Sequence, residues 1–196
     1  FVYNDKTEQA LKVHIPQRQV DFDRHLVETL AKNGPRYTSY PTADRFHAGF
    51  NQLNYQQALQ QRNVGALNRP LSLYIHVPFC NTICYYCGCN KIITKDTSRA
   101  DEYIDYLGRE LDLIAPHLQG QHQLSQLHFG GGTPTFLNDE QLARVFAHIK
   151  RHFEFSPRGE YSIEIDPRKV STDTVDRLRE LGFNRVSVGI QDSDPH

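Results

Sequence analysis

All four cysteines of the chain lie in one short segment, in the order Cys80, Cys84, Cys87 and Cys89. The spacing C-x3-C-x2-C on a loop lets three thiolates converge on one [4Fe-4S] cluster, whose fourth iron then stays open for a small ligand. A structural zinc site that uses all four thiolates is the alternative. The tight pair Cys87 and Cys89, and the lack of two separated C-x2-C pairs, favour iron. Cys89 is then either a functional thiol beside the cluster or a small buried residue without a chemical role.

A run of three glycines, Gly130, Gly131 and Gly132, precedes Thr133 and follows a predicted strand. Backbone without side chains can approach a ligand closely and offer it N–H and C=O groups. A plain turn is the alternative. The position at the carboxyl end of a strand, where barrel enzymes bind their ligands, favours a binding loop.

Strands and amphipathic helices alternate through most of the chain after residue 70, which predicts an α/β fold with a parallel sheet and right-handed crossovers. Helices are predicted after a Ser98/Asp101 capping box, after an Asn138/Gln141 capping box, and from Thr172 to a left-handed cap at Gly182. The predicted strands are 71–77, 126–129, 161–165 and 185–190.

Each predicted strand alternates polar or small residues with apolar ones, although parallel strands covered on both faces are apolar almost throughout. Tyr74, His76, Glu164 and Gln191 fall on the polar face, and the apolar sets, which include Val186 and Val188, should meet the helices. We therefore expect a curved sheet around a polar cavity. An open sheet with one solvated face is the alternative.

Composition sets the remaining expectations for the chain. A formal net charge of −1, without basic runs, gives no electrostatic reason to expect a nucleic-acid or membrane partner. No apolar run approaches the roughly 20 residues of a membrane helix, and the start of the sequence has no signal-peptide pattern, so we expect a cytoplasmic monomer that acts on a small molecule. Residues 1–68 are expected to form a helical and loop segment, with helices near residues 22–30 and 54–62, and residues 69–196 the sheet domain.

The cysteine motif C-x3-C-x-aromatic-C after the first strand resembles that of the radical S-adenosylmethionine (SAM) superfamily. Cys89 and the upstream loop at residues 35–42 resemble, in particular, the oxygen-independent coproporphyrinogen III oxidase family. The resemblance implies a [4Fe-4S] cluster whose open iron is chelated by S-adenosylmethionine, cleavage of which gives a 5′-deoxyadenosyl radical. It also implies an oxidoreductase of haem biosynthesis that uses two S-adenosylmethionine molecules to convert two propionates of coproporphyrinogen III to vinyls.

The resemblance also implies roles for individual residues. Cys80, Cys84 and Cys87 would hold the cluster, and His76 and Cys89 would be catalytic. The residues implied in S-adenosylmethionine binding are Tyr74, Tyr86, Gly130, Gly131, Gly132, Thr133, Glu164 and Gln191. Arg36, Tyr37 and Tyr40 would recognise the substrate, because guanidinium and phenol groups donate hydrogen bonds to propionates. Packing roles are the alternative for the tyrosines, a solvated carboxylate for Glu164, and a hydrogen-bonded strand histidine for His76.

The family's catalytic domain is a partial (β/α)6 TIM-like barrel with outer helices, followed by a helical domain. This chain has four strand-helix units, so we expect the rest of the barrel to lie beyond it and doubt that these residues alone are active. Two other functions remain open: a haem-chaperone-like radical SAM paralogue, and a zinc-binding module without catalysis. No motif identifies the electron donor or acceptor.

Overall fold

A computed structural model describes residues 24–31, 45–61, 70–85, 87–118, 120 and 122–189. The chain divides into two compact units, Phe1–His47 and Ala48–His196. The described part of the first unit contains helix α1 (Arg24–Leu30). The predicted domain boundary at residues 68 and 69 lies outside the described residues. Within the described ranges, no helix has the length and apolar character needed to cross a membrane.

The second unit is built on a four-stranded parallel sheet. Its strands, in spatial order, are β1 (Leu71–Val77), β4 (Gln123–Gly131), β5 (Glu154–Ile165) and β6 (Arg185–Val188). A separate pair of short parallel strands, β2 (Phe79–Cys80) and β3 (Ile92–Ile93), follows β1. The predicted α/β fold with a parallel sheet is therefore confirmed.

Three helices connect the long strands, as the apolar periodicity predicts. They are α3 (Arg99–Ile114), α4 (Asp139–Lys150) and α5 (Thr172–Leu181), and a shorter helix α2 (Gln52–Gln60) precedes the sheet. The Asn138/Gln141 capping box is present at α4, and Gly182 ends α5 with a φ of 117°. The apolar face of the sheet packs against α3 and α4 in one core, in which Phe129 contacts Phe146 and Phe183.

Some local predictions were wrong. Ser98 does not cap α3: its backbone is helical, and its hydroxyl and N–H both donate to Asp96 Oδ1. Asp101 accepts hydrogen bonds from Gln141 and Arg144 on α4. The predicted Ser98/Asp101 capping box therefore does not form, because the two side chains bond to Asp96 and to α4 instead.

Strand boundaries and one face also differ from the prediction. Strands β4 and β5 are longer than predicted, and β5 includes Pro157 where its register with β4 shifts. Such an irregularity tolerates a proline, which lacks a backbone donor. Val186 and Val188 are exposed, so the prediction that helices bury this apolar set was wrong. Strand β6 is the edge strand of the described sheet.

Candidate active site

Cys80 is held rigidly at the carboxyl end of the sheet. Its thiol is buried, and Thr133 Oγ1 lies 3.5 Å from its Sγ and donates to it. The carbonyl of Cys80 accepts from the Thr94 N–H at 2.9 Å, and that of Phe79 accepts from the Thr133 N–H at 2.8 Å. The loop after the glycine run therefore fixes the first cysteine.

The other three cysteines lie on the loop between β2 and β3, with Cys84 and Cys87 half-buried and Cys89 exposed. The backbone N–H of Cys89 lowers the pKa of the Cys87 thiol, with help from Lys91. Partial burial, followed by the neighbouring Cys87, raises the pKa of the Cys89 thiol. The structure thus pairs Cys87 with Cys89 and favours the thiolate on Cys87.

Among the residues that the structure describes, no three His, Cys, Asp or Glu side chains gather closely enough to hold a metal ion. Cys80 is anchored by a strand, whereas the loop that carries Cys84 and Cys87 contains no described helix or strand. The donor chemistry, three thiols on one short segment that runs from the end of β2 into the following loop, fits an iron–sulfur cluster.

The glycine run tests whether this edge of the sheet fits a bound ligand, because each glycine lies against a different site residue. A Cβ on Gly130 would lie 3.0 Å from the Tyr74 ring and 3.2 Å from the Glu164 carboxylate. One on Gly132 would lie 2.9 Å from Cys80 Sγ. The run therefore passes close to the cysteine and the polar side chains, and at Gly132 closer than a Cβ would allow, which fits a ligand-binding backbone.

Tyr74 and His76 form a hydrogen-bonded chain on the polar face of β1. His76 Nε2 lies 2.8 Å from the carbonyl of Asn90 in the cysteine loop, and Nδ1 lies 3.0 Å from Tyr74 Oη. Since a carbonyl only accepts, Nε2 of the neutral ring carries the proton, and Tyr74 donates to Nδ1. Burial, with Glu164 and Cys89 nearby, raises the pKa of Tyr74 and keeps this donor protonated. His76 therefore links the sheet to the cysteine loop.

His128 is a site residue that the sequence reasoning placed on the polar face but did not select. Its Nε2 lies 3.3 Å from Glu164 Oε1, and its Nδ1 lies 2.7 Å from Ser162 Oγ. Its ring stacks on Tyr74 with 5.9 Å between centroids. The period-two alternation of β4 was the available signal, but only the register between strands brings these groups together.

The structure therefore brings together Cys80, the glycine run with Thr133, Tyr74, His76 and Glu164 at the carboxyl ends of β1, β4 and β5. This edge is where parallel barrels bind their ligands. Five predicted site residues lie outside the described residues: Arg36, Tyr37, Tyr40, Tyr86 and Gln191.

Comparison with known proteins relates most of this chain to one family. Residues 74–196 match the model of the radical SAM superfamily. The oxygen-independent coproporphyrinogen III oxidase of Escherichia coli (strain K12) is 47% identical over 175 residues, which cover 89% of this chain and 37% of that protein. The oxidase of the same name from Mannheimia haemolytica is 41% identical over 149 residues, which cover 76% of this chain and 99% of that sequence.

A solved structure agrees with the sequence matches. The coproporphyrinogen III oxidase of Escherichia coli, described as a radical SAM enzyme, superimposes on this chain with a TM-score of 0.79 and 44% sequence identity. The match covers 90% of this chain and 38% of that one. The chain thus spans less than two fifths of the length of the Escherichia coli relative. The chain belongs to the radical SAM superfamily and, within it, to the family of oxygen-independent coproporphyrinogen III oxidases.

Proposed function

We propose that this chain forms the cluster- and S-adenosylmethionine-binding part of an enzyme that decarboxylates coproporphyrinogen III oxidatively, without oxygen, to protoporphyrinogen IX. The observation that carries the proposal is the placement of buried Cys80 against Gly132, beside Tyr74 and Glu164, at the carboxyl edge of the sheet. Family membership supports it, because the relatives carry the name of this activity.

In this proposal Cys80, Cys84 and Cys87 hold a [4Fe-4S] cluster. When bound, the cluster and S-adenosylmethionine supply a radical that removes hydrogen from an unactivated carbon. The protein's own contribution is to position the cosubstrate: backbone groups of residues 130–133 face its methionine end, and Glu164 offers a carboxylate that accepts hydrogen bonds. Tyr74, Tyr86 and Gln191 are proposed to bind the cosubstrate as well.

The proposed substrate chemistry occurs at two propionate side chains. Each propionate would lose a hydrogen atom from its β-carbon to the 5′-deoxyadenosyl radical, and then carbon dioxide together with one electron, which an external one-electron acceptor takes up, leaving a vinyl group. One S-adenosylmethionine is used for each propionate, so two are used in each cycle. His76 and Cys89 are the proposed catalytic groups: His76 is hydrogen-bonded to Tyr74, and the Cys89 thiol is exposed on the cysteine loop.

Arg36, Tyr37 and Tyr40 are proposed to hold the propionates of the tetrapyrrole, by the donor chemistry of their side chains. We further propose that the enzyme works as a monomer in the cytoplasm, without nucleic-acid or membrane partners. The nearly neutral net charge supports this part of the proposal. Analytical ultracentrifugation and cell fractionation test it: a dimer or a membrane-bound pool would contradict it.

The test of the activity uses the anaerobically reconstituted full-length protein. Coproporphyrinogen III, S-adenosylmethionine and a low-potential reductant should give the divinyl product. Replacement of Cys80, Cys84 or Cys87 by serine should lower bound iron from about four per chain to less than one, whereas Cys89→Ser should keep the iron and lose turnover. Bound zinc in place of iron would contradict the proposal. Bound haem without vinyl product would favour the chaperone instead.

A further inference from the structure

His128 lies at the centre of the polar face, between the two side chains that flank the glycine run. It pairs in register with Tyr74 on β1 and with Ser162 on β5, so the three residues form one row across three strands. Its ring lies nearly parallel to that of Tyr74, with an angle of 17° between their planes. His128 therefore contacts both Tyr74 and Glu164, the two side chains that flank the glycine run.

Both ring nitrogens of His128 have partners, which hold the ring in one orientation. Glu164 is an acceptor when ionised, so Nε2 carries the proton that is shared with Oε1. Nδ1 contacts the hydroxyl of Ser162, a buried residue whose Oγ also lies 3.3 Å from the Leu127 carbonyl. The ring cannot turn without breaking a contact to this buried group.

The two oxygens of the Glu164 carboxylate have different surroundings. Oε1 faces His128, whereas Oε2 would lie 3.2 Å from a Cβ on Gly130. The hydrogen bond from His128 thus directs the second oxygen toward the glycine run. Without it, the carboxylate could rotate about its last torsion, which is broad for glutamate.

We propose that His128 is a positioning residue, which orients the Glu164 carboxylate and the Tyr74 ring for S-adenosylmethionine binding. This inference rests on the proposed function, because it assumes that S-adenosylmethionine binds beside the glycine run. It assigns His128 no contact with the reacting atoms. Its consequence is that cosubstrate affinity depends on a donor at the Nε2 position of residue 128.

The test measures the Kd of S-adenosylmethionine for the reconstituted full-length protein, from the change that the cosubstrate causes in the EPR signal of the reduced cluster. His128→Asn still reaches Ser162 but not Glu164, and should raise Kd about tenfold, as expected for loss of one hydrogen bond to a charged group. His128→Gln restores a donor near Nε2 and should stay within about threefold of wild type. His128→Phe keeps the ring on Tyr74 but loses both hydrogen bonds, and should resemble the asparagine variant.

His122 provides the matched control, because it also has two hydrogen-bonded ring nitrogens but lies beside the amino end of β4. His122→Asn should leave Kd unchanged. In a Glu164→Gln background, His128→Asn should have little further effect, because the two residues act as one unit. Wild-type affinity in His128→Asn or His128→Phe, an equal loss in His128→Gln, or an undiminished effect in the Glu164→Gln background would overturn the inference. Wild-type protein that binds no S-adenosylmethionine would instead overturn the proposed function.

Discussion

Gly131→Ala should destabilise the protein by more than backbone strain alone explains. Gly131 has a φ of 109°, and an alanine Cβ there would lie 2.8 Å from the imidazole of His76. A non-glycine residue in this region costs about 1–3 kcal/mol in backbone strain. Displacement of His76 would also break its two hydrogen bonds, to Tyr74 and Asn90, at about 1 kcal/mol each. The expected loss in the free energy of unfolding is about 3–5 kcal/mol.

Alanine substitutions at two other glycines distinguish the cost of backbone strain from the cost of the steric collision with His76. Gly182 has a similar φ of 117°, but of the side chains that the structure describes its Cβ would meet only Phe146, at an ordinary contact distance of 3.8 Å. Gly182→Ala should therefore cost the backbone strain of about 1–3 kcal/mol alone. Among the described residues, a Cβ on Gly88 would meet no atom within 4 Å, and Gly88→Ala should change stability by less than about 0.5 kcal/mol. Urea unfolding of the cluster-free protein under reducing conditions measures all three. The reasoning is refuted if Gly131→Ala costs no more than Gly182→Ala.

Three further predictions concern the fold around the site. Tyr103 donates to the His76 carbonyl, and burial raises its pKa to about 12; since the folded state holds this proton more tightly, stability should fall between pH 10 and pH 12. Urea titrations should show a loss about 2 kcal/mol smaller in Tyr103→Phe, and equal losses would contradict this. Phe129→Ala removes a fully buried ring and should lower the free energy of unfolding by about 3–5 kcal/mol. A loss below about 1 kcal/mol would contradict this, because it would mean that the core closes around the cavity. Asn138→Ala removes the α4 cap and should lower the free energy of unfolding by about 1 kcal/mol; no change would show that the cap is dispensable.

The elements of the sheet domain could be predicted because their signals are local. Period-two alternation marked the polar face of β1 and β4, and the structure indeed leaves Tyr74 exposed while burying Ile75 and Val77. Gly182 was recognisable as a left-handed cap because few other residues adopt that conformation. The cysteine spacing indicated the chemistry, because three thiols on one short loop can reach a single cluster.

Features that depend on contacts between distant segments could not be predicted in this way. The pairing of His128 with Glu164 depends on the register of β4 with β5, which a shift of one residue would destroy. One local feature was also missed: Ser98 looked like a cap, but its hydroxyl and N–H both donate to Asp96, a competing acceptor in the same turn. The collision that makes Gly131 necessary involves a side chain on another strand.

The central claim is that three thiolates leave one iron of a [4Fe-4S] cluster open to S-adenosylmethionine. The most direct measurement is the EPR spectrum of the reduced, reconstituted protein during titration with S-adenosylmethionine, in wild type and in Cys89→Ser. The account predicts a saturable change in the cluster signal in both proteins. An unchanged signal in wild type, or a change that appears only after Cys89 is removed, would show that the fourth iron is already occupied by a protein ligand.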